Sequence, residues 1–215
     1  YKDLVSGEMI LINDQESFHA ASTMKTPVML EVFHQLEKSG FSLEDSIPVK
    51  NEFTSIVDGS KFSIDVSDDS DKEIYKLIGK KATFRNLIYN MITVSSNLAT
   101  NILIEKFGAK NVNNYMRELG ANKIQVLRGV EDGKAYEAGL NNTTTAYDLM
   151  IIFEHIAGKK ILYLKSHEEM LRILFDQKFN DIIPAKLPIG TKIAHKTGSI
   201  TNVVHDSGIV YLADG

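Results

Sequence analysis

Three short polar groups in the sequence have residue types and spacing suited to acyl transfer. They are Ser22-Thr-Met-Lys25, Ser95-Ser-Asn97 and Lys196-Thr-Gly198. Ser22 and Lys25 are three residues apart at the start of a predicted helix, so their side chains project from one face. A serine hydroxyl is a weak nucleophile at neutral pH, and an amine whose pKa is lowered by burial can remove its proton. The pair could supply a nucleophile and its base, although a Ser-x-x-Lys arises by chance about once in a chain of this length.

Ser95 and Asn97 add a hydroxyl and an amide to this chemistry. The Ser95 hydroxyl could relay a proton to a leaving group, and the Asn97 amide could bind a substrate carbonyl and hold Lys25 in place. Serine and asparagine are also common at helix starts for capping reasons alone. Taken alone, this group therefore keeps a purely structural interpretation.

Lys196, Thr197 and Gly198 lie in a segment predicted to be a strand. There they would present an ammonium and a hydroxyl to a carboxylate, and the glycine would remove a side chain that blocks close approach. The alternative interpretation is that the three residues simply end an edge strand. The order of the three groups along the chain favours chemistry over structure.

This ordered combination resembles the Ser-x-x-Lys, Ser-Asp-Asn and Lys-Thr-Gly signature of class A β-lactamases and penicillin-binding proteins. Three surrounding strings are similar to that family as well: His19-Ala-Ala-Ser-Thr-Met-Lys25, Ile92-Thr-Val-Ser-Ser-Asn97 and Asn142-Thr-Thr-Thr145. The resemblance therefore covers nearly the whole chain. The first separation is longer than in the family by about a dozen residues, which the polar segment 51–80 can absorb as a surface insertion.

The resemblance implies a role for each of the three groups. By it, Ser22 forms an acyl-enzyme, Lys25 is the acylation base, and Ser95 passes a proton to the departing β-lactam nitrogen. The oxyanion hole would consist of the backbone N–H groups of Ser22 and Ser199, aimed at the charge of the tetrahedral intermediate. The substrate-binding residues that it implies are Asn97, Lys196, Thr197, Gly198 and Ser199.

The residue for hydrolysis of the acyl-enzyme is less clearly marked. Class A β-lactamases use a glutamate in an omega loop, two positions after an arginine. Here Glu131 lies three positions after Arg128, while Glu137 opens a Glu-x-x-Leu-Asn string that the family also has. We favour Glu131 on loop position, with Glu137 as the alternative and a solvated loop carboxylate as the structural interpretation of either.

Ser96 stands where the family has an aspartate. This substitution removes a charged partner that could brace the loop carrying Ser95. Together with the ambiguous glutamate, it leads us to expect intact acylation and a deacylation that is slow or tuned to another ester or amide. Two rival functions stay open: a D,D-peptidase or esterase acting on cell-wall peptide or another acyl donor, and a β-lactam-binding sensor acylated once without turnover.

The elements that must position these groups follow from apolar spacing and turn residues. A hairpin is predicted over 1–12, loop and short strands over 40–81, and a long functional loop over 122–142. Helices are predicted over 22–38, from the Thr83 cap through Ile92, over 95–106 and 110–119, from Thr145 to about Ala157, and from a capping box at Ser166–Glu169 to near Gln177. Two adjacent strands, 191–199 and 203–212, close the chain.

This order predicts an α+β protein whose antiparallel sheet is built from both chain ends, with an inserted all-α subdomain, similar to β-lactamases and transpeptidases. One catalytic domain would span 1–215, with its sheet part at 1–20 and 185–215 and its helical part at 21–184. The family has a further helix before the first strand, and a strand and long helix after the position of Gly215. We therefore expect terminal segments beyond this chain.

Composition excludes several other classes of function. The net charge of −4 provides no cationic field for nucleic acid, and no apolar run approaches the ~20 residues of a membrane span. The chain has no cysteine, which excludes disulfides and thiolate sites. The acidic run 65–71 lacks the ligand pattern of an EF-hand loop and is predicted to be solvated, and His195 is predicted to pack under the sheet.

We accordingly expect no cofactor and no metal. The expected partner is a small β-lactam, or a cell-wall peptide or ester, bound by a monomer. The chain starts at Tyr1 without a signal peptide, and the family resemblance by itself implies a secreted, periplasmic or cell-envelope location.

Overall fold

Residues 1–158 and 161–212 are described by the computed structural model of the protein. The α-helices are α1 Lys25–Ser39, α2 Phe84–Thr93, α3 Asn97–Phe107, α4 Ala109–Glu118, α5 Gly133–Glu137, α6 Ala146–Gly158 and α7 Leu164–Phe175. The strands are β1 Phe18–His19, β2 Ser46–Pro48, β3 Phe53–Thr54, β4 Lys61–Phe62, β5 Lys81–Thr83, β6 Thr143–Thr144, β7 Lys192–Ile200 and β8 Val203–Tyr211. Short 3-10 turns lie at Ala21–Met24, Val66–Asp68, Ile74–Leu77 and Pro184–Lys186. The predicted α+β class is confirmed.

Helix α1 lies at the centre of the helical part. It packs against α2, α3 and α4, and its residues from Lys25 to Phe33 are all buried. Burial of each large apolar side chain contributes about 1.5–3 kcal/mol. The helix predicted over 22–38 is therefore confirmed, except that its first turn is the 3-10 turn Ala21–Met24 rather than α-helix. A rigid, buried helix thus holds the segment that carries Ser22 and Lys25.

Helices α2 and α3 are joined by a tight connection that contains Ser95. The Thr83 hydroxyl accepts a hydrogen bond from Asn86 N at 3.1 Å and caps α2, as predicted. The Ser96 hydroxyl accepts from Ala99 N at 3.3 Å and caps α3. Between the two helices Ser95 has a φ of 59°, in the left-handed region that L-residues seldom adopt. The Ser96 cap and the bond from Ser96 N to the Asn90 carbonyl, at 3.0 Å, hold the backbone next to Ser95.

The two predicted C-terminal strands are confirmed as an antiparallel hairpin. Strands β7 and β8 pair along their whole length, with Lys196 opposite Ser207. Strand β7 is buried from Ile193 to Lys196 and packs against α7 and against the 3-10 turn before α1. The strand therefore lies between the helical part and the segment that carries Ser22.

The chain start does not join this hairpin. Residues 1–12 fold back on themselves with one bridge, between Lys2 and Met9, and the run Met9–Ile12 is exposed. Their backbone groups bond within the hairpin, and Lys2 forms an ion pair with Glu154 on α6. In the part of the chain that the structure describes, the prediction of one sheet built from both ends is wrong in this respect. Residues 213–215, which end the predicted sheet part, lie outside the described residues.

The start of α7 also differs from the prediction. This helix begins at Leu164 after Tyr163, and Ser166 does not cap it. Instead, the Glu37 carboxylate of α1 accepts from Tyr163 N at 2.9 Å and from the Ser166 hydroxyl. The predicted capping box is wrong because the Ser166 hydroxyl is bonded to a carboxylate of a distant helix, and the helix begins two residues before Ser166.

The long polar segments take the irregular structure that was predicted for them. Strand β2 pairs with β5, and β3 pairs with β4 to form a small hairpin within segment 40–81. The loop over 122–142 contains one short helix, α5. None of the described helices is long and apolar enough to cross a membrane.

Candidate active site

Ser22 lies in the 3-10 turn before α1, on the wall of a cleft of about 800 Å³. The preceding residue, Ala21, has a φ of 46°, which marks a strained turn of the kind that clusters at functional sites. Its amide donates to Nδ1 of His19 at 3.0 Å. The turn packs so closely on β7 that a Cβ at Gly198 would lie 2.9 Å from Ser22 N. Only a glycine at this position allows the strand to approach the Ser22 backbone.

Lys25 is fully buried, and its amine is surrounded by acceptors from the α2–α3 connection. Nζ donates to the Ser95 carbonyl at 2.7 Å and to Asn97 Oδ1 at 2.8 Å. Burial disfavours the ammonium and lowers the pKa of Lys25 to about 7, with the charges of Asp69 and Glu131 acting in the opposite direction. A substantial fraction of the amine is therefore neutral near pH 7, as a general base requires.

The hydroxyl of Ser95 lies between two amines. Its Oγ is 3.1 Å from Nζ of Lys25 and 3.1 Å from Nζ of Lys196. Lys196 also donates to the Thr197 carbonyl at 2.8 Å. Burial, and then the charge of Lys25, set the pKa of Lys196 well below its usual value, while the charge of Asp206 raises it. The arrangement provides a hydrogen-bonded path from one amine to the other through a single hydroxyl.

Four of the five predicted substrate-binding residues line the same cleft, and the fifth, Lys196, is fully buried. The walls of the cleft include Thr197, Gly198 and Ser199 from β7 and Asn97 from the start of α3. Strand β7 is thus one wall of the cleft, and the 3-10 turn and the α2–α3 connection are others. The structure places Ser22, Ser95, Asn97, Thr197, Gly198 and Ser199 on one cleft. Lys25 and Lys196 are fully buried, and each is joined to that cleft through the Ser95 hydroxyl.

The structure separates the two candidate glutamates. Glu131 lines the cleft, and its Oε1 accepts from Asn97 Nδ2 at 3.3 Å. Desolvation, and then the nearby charge of Asp68, raise its pKa, while Lys25 lowers it. Both glutamates are exposed to solvent, but Glu137 ends α5 and is not among the residues that line the cleft. Of the two carboxylates, Glu131 alone is hydrogen-bonded to a residue of the proposed site.

An asparagine that no sequence motif had marked holds the loop of Glu131. Asn101 on α3 accepts from Val130 N at 2.6 Å and donates to Val130 O at 2.9 Å. A Cβ at Gly129 would lie 2.2 Å from Asn101 Oδ1, so this contact requires glycine. Asparagine is a poor helix former in the interior of a helix. Its presence within a predicted helix was the sequence signal that could have marked this residue. The amide fixes the backbone next to Glu131, whose own φ is 61°.

A second anchor of this loop comes from the inserted hairpin β3–β4. Asp132 is buried, and it accepts from the Ser55 hydroxyl at 3.0 Å and from Ile56 N at 3.1 Å. The same carboxylate caps α5 through Ala135 N at 3.1 Å. The insertion foreseen at 51–80 therefore contacts the loop next to Glu131 instead of standing free on the surface.

The acidic run 65–71 is not solvated throughout. Asp65 and Asp68 are exposed, but Asp69 is 3% exposed and Asp71 is 7% exposed. The prediction of a solvated loop is wrong for these two carboxylates because backbone and side-chain donors compensate their burial. Within 1–158 and 161–212, no three histidine, aspartate or glutamate side chains are grouped so as to hold a metal ion.

His195 packs beneath the hairpin, as predicted. It is 1% exposed, with Nδ1 2.8 Å from Asp206 Oδ1 and Nε2 3.2 Å from Asn180 Oδ1. Asp206 also accepts from Ile183 N at 3.1 Å. The pair thus ties the segment before β7 to β8, under the part of β7 that carries Lys196 and Thr197.

Comparison with known proteins gives one family and several related chains. The family model described as the beta-lactamase enzyme family matches residues 1–215. Beta-lactamase VEB-1 of Pseudomonas aeruginosa is 22% identical over 232 residues, which cover 97% of this chain and 70% of that protein. Both matches therefore cover nearly the whole chain.

Solved structures share the fold over almost the whole chain. A beta-lactamase from Sphaerobacter thermophilus DSM 20745 has a TM-score of 0.82 at 26% identity, covering 98% of this chain and 76% of that one. A mutant of PBP-A, solved as an acyl-enzyme complex with penicillin G, has a TM-score of 0.81 at 27% identity, covering 100% of this chain and 75% of that one. The similarity thus includes both a β-lactamase and PBP-A.

Proposed function

Because this chain belongs to the beta-lactamase enzyme family, we propose that it is a class A-type serine β-lactamase that uses Ser22 as its nucleophile. The observation that carries the proposal is the position of Ser95, whose hydroxyl is 3.1 Å from the amines of both Lys25 and Lys196. Two buried amines joined through one hydroxyl can take a proton from a nucleophile and deliver it to a leaving group.

In the proposed acylation, Ser22 Oγ attacks the lactam carbonyl carbon while its proton moves to the neutral amine of Lys25. The carbonyl oxygen becomes an oxyanion held by the N–H groups of Ser22 and Ser199. The C–N bond then breaks, the lactam nitrogen takes the proton of Ser95, and the ammonium of Lys25 returns a proton to Ser95. The product of this step is an ester between the opened lactam and Ser22.

In the proposed deacylation, Glu131 takes a proton from a water molecule that attacks the ester carbonyl. The bond from the carbonyl carbon to Ser22 Oγ breaks, and Ser22 Oγ receives the proton that Glu131 took from the water, which leaves the opened lactam as a carboxylic acid. Glu131 suits this task because it lines the cleft beside Asn97, and because desolvation raises the pKa of its carboxyl toward the working pH of a base. Its presence favours hydrolysis over a lasting adduct, with Glu137 left without a role.

The likeness to PBP-A favours a second candidate, in which the acyl-enzyme persists. The PBP-A mutant was captured as an acyl-enzyme complex with penicillin G. A chain with the acylation groups but slow deacylation would act as a D,D-peptidase or esterase on cell-wall material, or as a sensor that signals by occupancy. The difference between these candidates lies in the lifetime of the Ser22 ester.

Intact mass spectrometry after addition of penicillin G tests the proposal. The expected result is an adduct that appears and then disappears within the turnover time, together with steady hydrolysis of a chromogenic cephalosporin. Ser22→Ala is expected to form no adduct, and Glu131→Gln to accumulate one. A lasting adduct on the wild-type protein would favour the PBP-like candidate, and no adduct would point to a different acyl donor.

Family membership by itself also leads us to propose a location in the cell envelope or outside the cell, and a monomeric state. Fractionation of the native host and size-exclusion chromatography of the protein measure these two properties. A cytoplasmic pool alone, or a stable dimer, would contradict them.

A further inference from the structure

The carboxylate of Asp69 is bound to the first turn of α3. Its Oδ1 accepts from Asn97 N at 3.0 Å, and its Oδ2 accepts from Leu98 N at 2.8 Å. Two further donors complete the set: Asp71 N at 3.0 Å and the Tyr75 hydroxyl at 3.1 Å. Each carboxylate oxygen therefore has two donors, which explains how a residue 3% exposed retains a polar carboxyl group.

The first amides of an α-helix have no partner within the helix. The Ser96 hydroxyl accepts a hydrogen bond from Ala99 N, so the amides of Asn97 and Leu98 need acceptors from elsewhere. Asp69 supplies both acceptors from the loop before α2, and a negative charge at a helix N-terminus is favourable. The charge that Ser96 lacks, relative to the aspartate of the family pattern, is thus provided by a residue 28 positions before Asn97.

The same turn carries the acceptors of Lys25. Asn97 Oδ1 and the Ser95 carbonyl both receive hydrogen bonds from its amine, so fixing the start of α3 fixes the position of that amine. The charged groups that act on Lys25 are Asp69 and Glu131, which raise its pKa, and it in turn lowers the pKa of Lys196. Asp69 therefore acts on both the position and the protonation of Lys25.

We infer that Asp69 is a positioning residue for acylation, which holds the Ser95–Leu98 turn so that Lys25 and Ser95 face the nucleophile. This inference rests on the proposed acylation of Ser22. The inference assigns a role to the inserted segment: its Asp69 carboxylate replaces the negative charge that is absent from position 96. Asp69 touches none of the reacting atoms, and its effect is transmitted through Asn97 and Leu98.

The test compares Asp69→Asn with Asp71→Asn as the matched control. Asp71 lies in the same loop and is also buried, but its carboxylate binds Asn90 Nδ2 at 2.9 Å and Ile74 N at 3.3 Å rather than α3. The readouts are the titration of Lys25, followed by NMR of protein labelled with ¹³C at lysine Cε, and the rate of acylation by a fluorescent penicillin. Thermal unfolding of each variant reports any loss of stability in the loop.

Asp69→Asn is expected to lower the pKa of Lys25 below that of the wild-type protein, because a negative charge that favours the ammonium is removed. Acylation is expected to slow by about ten- to a hundredfold, the scale of a misplaced catalytic group. Asp71→Asn is expected to lower the unfolding temperature while leaving the Lys25 titration and the acylation rate near the wild-type values. Equal behaviour of the two variants in the titration and in acylation would overturn the inference.

If Asp69→Asn does not fold, the double variant Asp69→Asn, Ser96→Asp keeps one carboxylate at this helix end. Its Lys25 is expected to titrate close to the wild-type value, and a clearly lower value would contradict the inference. The NMR titration needs no substrate. A wild-type protein that forms no penicillin adduct would therefore contradict the proposed function, while the titration would still decide whether Asp69 acts on Lys25.

Discussion

The side-chain amide of Asn101 forms two hydrogen bonds with the backbone of Val130: its Oδ1 accepts from Val130 N at 2.6 Å, and its Nδ2 donates to Val130 O at 2.9 Å. This two-point contact joins the interior of α3, which carries Asn97 at its start, to the loop that carries Glu131. The groups proposed for acylation and for deacylation therefore share one rigid element. Acylation can be disturbed through contacts at the start of α3, and deacylation through contacts between α3 and the Glu131 loop.

Gly129→Ala is expected to slow deacylation while leaving acylation near the wild-type rate. The new Cβ would lie 2.2 Å from Asn101 Oδ1, so either this amide or the loop must move and the contact that fixes the Glu131 loop is disturbed. Displacement of a positioned base costs about a hundredfold in rate. Burst and steady-state kinetics with a chromogenic cephalosporin measure the two steps. Gly133→Ala is the control, because its Cβ would meet nothing within 4 Å, and an equal loss in both variants would contradict the prediction.

The acylation rate is expected to fall as the pH drops below about 7. The pKa of Lys25 is lowered from 10.5 to about 7, mainly by burial, so acid protonates the base that takes the Ser22 proton. The plateau lies above this pH, where the amine is neutral. Stopped-flow measurement of the acylation rate from pH 5 to 9 gives the acidic limb of this pH profile. A rate that stays constant across pH 6 to 8 would speak against Lys25 as the base.

The same shift predicts how stability depends on pH. Lys25 binds a proton more weakly in the folded protein than in the unfolded chain, so between about pH 7 and its ordinary pKa of 10.5 the unfolded state holds more protons. The contribution of Lys25 to the free energy of unfolding therefore rises with pH in this window. Urea unfolding of the wild type and of Lys25→Met at pH 7 and pH 9 isolates that contribution. An equal change in unfolding free energy between the two pH values in both proteins would refute the prediction.

Ser55→Ala is expected to loosen the Glu131 loop without touching the cleft. It removes one hydrogen bond, of 3.0 Å, between the inserted hairpin and Asp132. A net loss of about 1 kcal/mol in unfolding free energy and a several-fold slower deacylation are expected. Lys134→Gln is the comparison, since the Lys134–Asp58 pair joins the same two segments at the exposed surface, where such pairs contribute little. A larger loss of stability or a slower deacylation in Lys134→Gln than in Ser55→Ala would contradict the prediction.

Glu37→Gln is expected to destabilise the protein without changing the chemistry. Glu37 accepts from Tyr163 N and Ser166 at the start of α7 and lies away from the cleft-lining residues. Glutamine keeps one acceptor oxygen but loses the charge, so each hydrogen bond is expected to weaken from about 1.5–3 kcal/mol to the ~1 kcal/mol of a neutral bond. Thermal and denaturant unfolding measure this loss, and kcat for a cephalosporin at 25 °C is expected to be unchanged. A large fall in kcat in the folded variant would contradict this separation of roles.

The sequence alone determined the features that depend on neighbouring residues. The Ser22–Lys25 spacing, the cap at Thr83 and the β7–β8 hairpin follow from local backbone geometry, and each is present in the structure. The choice between Glu131 and Glu137 was different, because a carboxylate in a loop has the same local pattern whether it faces a cleft or the solvent.

Tertiary structure decided which loop carboxylates became buried, and with what partners. The buried carboxylates of Asp69 and Asp132, like the half-buried Glu37 of α1, accept hydrogen bonds from backbone amides of segments far along the chain. No local pattern marks such a partner. The desolvation of a charged group is costly, so its position depends on which donors the whole fold brings within hydrogen-bonding distance. Short motifs therefore indicated the residues of the proposed chemistry, whereas the contacts that support those residues were set between distant segments.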